Sequence, residues 1–129
     1  RLADGTIMAG SGGHNDCAMG AGEILVTGRI SPRRFRSELG FITTPGDRVR
    51  TVVTDLGILE KPGDSKELVL TSYYAKEGTS QDEAIAAIKE QCGWDLKVAP
   101  DIHAQPPPTL EELTIIRQFS ARRGQPPEE

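Results

Sequence analysis

Three glycines within four positions, in the run Gly10-Ser11-Gly12-Gly13-His14-Asn15-Asp16-Cys17-Ala18, most constrain what this 129-residue chain can build. Residues without side chains let a backbone turn sharply and bring its N–H groups against a neighbour. Asn15 or Asp16 is placed to cap a short helix after this loop, and the unpaired N–H groups at such a helix start favour an anion or a developing oxyanion. Two familiar phosphate cradles do not fit. The dinucleotide pattern G-x-G-x-x-G fails where Asn15 stands in place of the last glycine, and no Gly-Lys-Ser/Thr follows to make a P-loop.

Around this loop the pattern is α/β. Thr6-Ile7-Met8 reads as the end of a strand entering the loop, and Glu23-Ile24-Leu25-Val26-Thr27 as a buried strand after it. Further strands are expected at Phe41-Ile42-Thr43, over 49–54, at Gly57-Ile58-Leu59-Glu60 and over 68–73, with turns at Pro45-Gly46-Asp47 and Lys61-Pro62-Gly63-Asp64. The last two strands read as a hairpin, so the expected sheet is open, mixes parallel and antiparallel strands, and is flanked by helices. Ser80-Gln81-Asp82-Glu83 has the form of a capping box, followed by Ile85, Ile88 and Cys92 on one helical face and by Gly93 as the stop. Trp94 to Val98 reads as a short strand with the indole anchored in the core. After Pro106-Pro107-Pro108, Thr109-Leu110-Glu111-Glu112 is a second capping box, opening a helix to about Phe119. Its stripe of Leu110, Leu113, Ile116 and Phe119 must cover this sheet or a neighbouring body. Residues 1–121 are therefore expected to form one domain portion, and 122–129, polar and proline-containing, a mobile tail.

Composition excludes several classes of function. A formal charge of −4 argues against nucleic acid, which is held by concentrated Lys and Arg. The cluster Arg33, Arg34 and Arg36 is either a solvated loop or a contact for phosphates. No apolar run approaches the length of a membrane helix and no leader-like segment opens the chain. Cys17 and Cys92 are too few for a disulfide framework or a zinc site, which fits a reducing cytoplasm, and no metal-ligand spacing is present. Cys17, with only His14 as a basic neighbour to activate it, reads as structural. Asp4, Asp16 and Asp55 form no carboxylate pair by spacing, no Ser-His-Asp triad follows from residue types alone, and His103 falls in a connection without a role.

Five segments taken together resemble the β subunits of class I coenzyme A transferases of the glutaconate and 3-oxoacid groups. They are Gly10 to Asp16, Phe41-Ile42-Thr43-Thr44-Pro45-Gly46, Val53-Thr54-Asp55-Leu56-Gly57-Ile58, Gly93-Trp94-Asp95-Leu96-Lys97-Val98-Ala99 and Pro106-Pro107-Pro108-Thr109-Leu110-Glu111-Glu112-Leu113, in the family's order and spacing from residue 8 to about 119. The catalytic glutamate of that family, in a Glu-Asn-Gly or similar motif upstream of the glycine loop, has no match. Ser37-Glu38-Leu39-Gly40 is downstream, in a stretch that reads as strand, and is rejected. The chain is thus expected to be the C-terminal portion of such a subunit or of a fused transferase, a partial domain inactive alone.

The resemblance implies a reaction in which coenzyme A moves between an acyl-CoA and a carboxylic acid. Gly12 and Gly13 would line the acyl-CoA carbonyl as oxyanion donors. His14, Asn15 and Asp16 would contact substrate, with Asn15 or Asp16 holding the loop's shape. His14 stands where many such β subunits carry alanine, and Gly-Gly-His is also similar to the α subunit of citrate lyase. It would orient an acceptor carboxylate or move a proton, or else serve as a plain loop residue. The thioester is substrate, not resident cofactor, and the partner implied is an α subunit or the missing N-terminal half, in an oligomer. A CoA-thioester hydrolase or ring-cleaving relative on the same fold, and a non-catalytic interaction domain, are the alternatives.

Overall fold

The computed structural model describes residues 4–7, 10 and 12–122. In chain order these form α1 (Gly12–Gly20), β1 (Ile24–Thr27), β2 (Val49–Val53), β3 (Gly57–Glu60), β4 (Val69–Tyr74), α2 (Gln81–Glu90), β5 (Lys97–Gln105) and α3 (Leu110–Arg122). The five strands make one open sheet in the order β1-β2-β3-β4-β5. β1 is parallel to β2 and β4 to β5, while β3 is antiparallel to both of its neighbours. The expected mixed sheet flanked by helices is what forms.

A tight turn starts the antiparallel part. The buried Thr54 hydroxyl donates to the Gly57 carbonyl at 2.7 Å and accepts the Gly57 N–H at 3.0 Å, folding β2 back as β3 within four residues. Gly57 permits the fit. A Cβ there would lie 2.5 Å from the Ser72 carbonyl of β4 and 3.3 Å from Ile88 Cδ1 of α2. The core is the layer between sheet and α2, where Leu59, Leu70, Ile88 and Leu96 are fully buried and Val52, Tyr73 and Ile30 nearly so. Burying four such aliphatic side chains contributes about 2 kcal/mol each.

Both capping boxes form. Ser80 caps α2 by accepting the Glu83 N–H, while the Glu83 carboxylate accepts the Ser80 N–H at 2.8 Å. Thr109 and Glu112 repeat the arrangement at α3. Glu83 and Glu112 are held below the usual carboxylate range, first by these backbone N–H groups and then by the capping hydroxyls.

Several expectations fail for identifiable reasons. Thr6 and Ile7 are not in a strand, and Met8 lies outside the described residues. α1 starts at Gly12, so Asn15 and Asp16 are inside it and cannot cap it. Phe41-Ile42-Thr43 and Ser37 to Gly40 are irregular and Ile42 is exposed: β2 is already paired on both sides, and the segment leads into Thr44, bonded to Asn15 of α1, rather than along the open edge of β1. β1 begins at Ile24 and is an edge strand with Leu25 and Val26 exposed rather than buried. The strand expected at Trp94 starts only at Lys97 and runs to Gln105, placing His103 in the ladder opposite Ser72 instead of in a connection. α2 ends on Gln91 as its C-cap, before Gly93. Gly93 instead donates its N–H to the Phe35 carbonyl at 2.7 Å, where a Cβ would meet Ser37 N at 2.8 Å. α3 continues to Arg122, past Phe119 and into the expected tail, whose remaining residues lie outside the described ones. Its stripe is left largely uncovered by the described chain: Leu113 is half-buried, but Leu110, Ile116 and Phe119 are each more than half exposed.

Two outcomes are expected in solution. Gly57→Ala should lower stability by about 3 kcal/mol in urea denaturation, the upper end for overpacking, whereas Gly46→Ala, where a Cβ meets nothing within 4 Å, should change it by less than about 0.5 kcal/mol. A carboxyl depressed in the folded state contributes stability above its unfolded value and loses it as pH falls through the folded one. The thermal advantage of the natural chain over Glu83→Gln should therefore shrink as pH drops from about 5 to about 3, and an advantage constant over that range would contradict the capping role.

Candidate functional site

α1 lies beside the outer edge of the sheet, and between them opens a largely apolar cleft of about 600 Å³. His14, Cys17 and Ala18 form its helical wall, Ile24 to Val26 its floor, and Thr43 to Pro45 its far side. The Thr44 hydroxyl donates to Asn15 Oδ1 at 2.9 Å, tying the helix to that far wall. Arg48 donates to the Ala21 carbonyl and secures the exit from α1. His14 thus enters the cleft and Asn15 is fixed beside it, while Gly12, Gly13 and Asp16 stay exposed at the start of the helix and are not among the lining residues.

That start has a definite chemistry. Gly12 and Gly13 have no carbonyl one turn earlier within the helix to accept their N–H groups, and the helix dipole makes this end electropositive. A methyl group at either glycine would meet no other described atom within 4 Å, so packing against the described residues does not explain their bareness. Three glycines in nine residues cost α1 about 1 kcal/mol each relative to alanine. Ala18 is its one buried residue.

A second, polar pocket of about 690 Å³ lies where the chain leaves β1 and β2. Asp55, in the β2–β3 turn, accepts the Ile30 N–H at 2.9 Å and faces Arg29 at 3.7 Å. Arg33 and Arg34 complete the rim, while Arg36 points to an adjoining groove. Among the described residues no group of three His, Cys, Asp or Glu side chains could hold a metal, and no helix is long and apolar enough to cross a membrane.

Comparison with known proteins gives these features a context. No family model matches the chain. It is 29% identical over 130 residues to one of the subunits of 3-oxoadipate CoA-transferase from Pseudomonas knackmussii, covering 89% of this chain and 48% of that protein. Its fold superimposes on glutaconate coenzyme A-transferase from Acidaminococcus fermentans with a TM-score of 0.68 at 25% identity, over 88% of this chain and 47% of the other. The chain is class I CoA-transferase β-subunit-like. A variant of the decarboxylase AibA/AibB matches the fold over 96% of this chain and 51% of its own length, with a TM-score of 0.67 at 21% identity. This CoA-transferase-like chain spans about half the length of the relatives it matches.

Reading the sequence missed Thr44 as the residue that holds Asn15, and Arg29 with Asp55 as a pocket. Both signals were present: Thr44 and Asp55 each lie in a segment carrying the family resemblance.

The two thiols, both free, differ sharply. Cys17 is exposed on the cleft wall, whereas Cys92 is half-buried and burial pushes its pKa up. Ellman's reagent at neutral pH should titrate one thiol rapidly and the second only on unfolding, with the fast phase absent in Cys17→Ala; equal rates would contradict this placement.

Proposed function

We propose that this chain supplies the glycine-bearing half of a CoA-transferase site, in which coenzyme A passes between an acyl-CoA and a carboxylic acid. A glutamate from outside this chain attacks the thioester carbonyl and expels CoA thiolate, leaving a mixed anhydride. The thiolate then attacks the glutamyl carbonyl, releasing the first carboxylate and forming a glutamyl-CoA thioester, and the acceptor acid reverses these steps. Each step passes through a tetrahedral oxyanion. Amides fixed beside that oxygen stabilise it more than they stabilise the ground state.

The observation that carries this reading is the helix start at Gly12 and Gly13, bare where nothing among the described residues requires it, beside a cleft lined by His14. Asn15, tethered to Thr44, holds the helix against the cleft wall. His14 is placed to orient an acceptor carboxylate, and Asp16 to keep the exposed helix start in register. The largely exposed stripe of α3 and the exposed edge at β1 fit a chain that packs against an α subunit or a preceding half of its own subunit. Two unpaired thiols suit a reducing cytoplasm. Hydrolysis on the same fold is the competing reading, and consumption of acyl-CoA without any acceptor acid would favour it.

Gly13 is helical, so alanine fits there and should leave the thermal midpoint unchanged or raise it. Alanine keeps the N–H, but in the assembled enzyme its methyl group should hold the reacting carbonyl away from it and reduce kcat on the order of 100-fold, the scale of a lost oxyanion contact. A folded variant with full turnover would rule out this role for the helix start.

A further inference from the structure

The arginine pocket is not used by the chemistry above. Register pairs Thr27 of β1 with Val53 of β2, and the Gly28 N–H continues the ladder to the Val53 carbonyl at 3.0 Å. Arg29 and Asp55 therefore leave the sheet together at the C-terminal ends of two parallel strands, the end at which open α/β sheets take ligands. The turn over 31–35 then folds Arg33 and Arg34 back over the same hollow, its Phe35 N–H bonded to the Ser31 carbonyl at 2.9 Å.

Three guanidinium groups face one carboxylate in a protein whose overall charge is −4. That carboxylate is already engaged by the Ile30 N–H, and its contact with the largely exposed Arg29 is long at 3.7 Å, so it neutralises little. Arg34 makes only a marginal hydrogen bond to the Arg29 carbonyl at 3.5 Å, and Arg33 none with the described residues. Arginine forks match a phosphate in shape and charge. Arg29 and Arg34 also border an adjoining apolar groove of about 670 Å³, walled by Phe35 and Trp94, whose rings stack at 6.0 Å. A phosphate pocket opening onto an aromatic groove fits a phosphorylated nucleoside better than a free anion.

We propose that Arg29, Arg33 and Arg34 hold the 3′-phosphate at the adenosine end of coenzyme A, with the adenine along the Phe35 and Trp94 groove. The name of the ligand rests on the CoA reading above; the phosphate chemistry of the pocket does not. Every residue involved belongs to this chain, so binding is measurable without the other half of the site.

Calorimetric titration of the chain at low salt, with adenosine 3′,5′-bisphosphate, CoA and dephospho-CoA, tests this. The natural chain should bind the bisphosphate and CoA, and dephospho-CoA more weakly. Arg33→Gln/Arg34→Gln, two exposed positions whose replacement should leave the thermal midpoint unchanged, should bind the first two about 10-fold to 100-fold more weakly. Equal affinity for CoA and dephospho-CoA, or an unchanged affinity in the variant, would overturn the pocket while leaving the CoA reading intact. Failure of the bisphosphate to bind would overturn it too. Arginine-dependent binding of the bisphosphate without any binding of CoA would uphold the phosphate pocket and remove CoA as its ligand.

Discussion

The hydrogen bond from the Ile30 N–H to Asp55 Oδ1, 2.9 Å long, holds the two ends of the functional edge together. β1 and β2 are parallel, and such pairs are ordinarily joined by a helix that covers the sheet. Here residues 28–48 carry no helix or strand, so a side chain must do what a helix usually does. Asp55 projects from a turn already fixed by the buried Thr54 hydroxyl and anchors the start of the crossover beside it. With Ile30 thus buried against the core, the arginines that follow have a fixed place and Phe35 reaches Trp94. Removing that carboxylate acceptor would leave a half-buried N–H unpaired, a loss of the order of 1–3 kcal/mol.

The stable core and the candidate site are segregated along the sheet. The half containing β3, β4 and α2 is densely packed, with Leu59, Leu70 and Ile88 sealed and glycine demanded by close approach at Gly57. The half containing α1 and β1 is loosely packed, with Met19, Leu25 and Val26 exposed and a helix start rich in glycine. A short helix with three glycines is marginal in water by itself. Among its tethers are Thr44 to Asn15 and Arg48 to the Ala21 carbonyl. This is the arrangement expected of a rigid platform that presents one adaptable edge to a substrate and a partner.

What could be read from the residues was what local chemistry decides. Ser80 with Glu83 and Thr109 with Glu112 announce helices because a cap and its carboxylate sit within one turn of each other. The β3–β4 hairpin was legible from its turn residues and β-branched runs. β5 was underestimated because its length is set by pairing with β4, a partner more than twenty residues away that propensity does not register. Phe41 to Thr43 has the composition of a strand, yet it leads into Thr44, tied to Asn15 of α1, and does not join the open edge of β1. The helical start at Gly12 defies glycine's poor propensity, so a loop was the natural expectation there. The arginine pocket depends on the register of β1 against β2, which single residues do not encode; Arg36 looked like its third member and Arg29 is.

In the function proposed for this edge, substrate meets both the start of α1 and the arginine turn. Hydrogen–deuterium exchange of the assembled enzyme, with and without an acyl-CoA, reads both at once. Slowed exchange over 12–16 and over 29–35, with the amides of β3 and β4 unchanged, is the predicted result. Identical exchange at both segments under saturating acyl-CoA would contradict it.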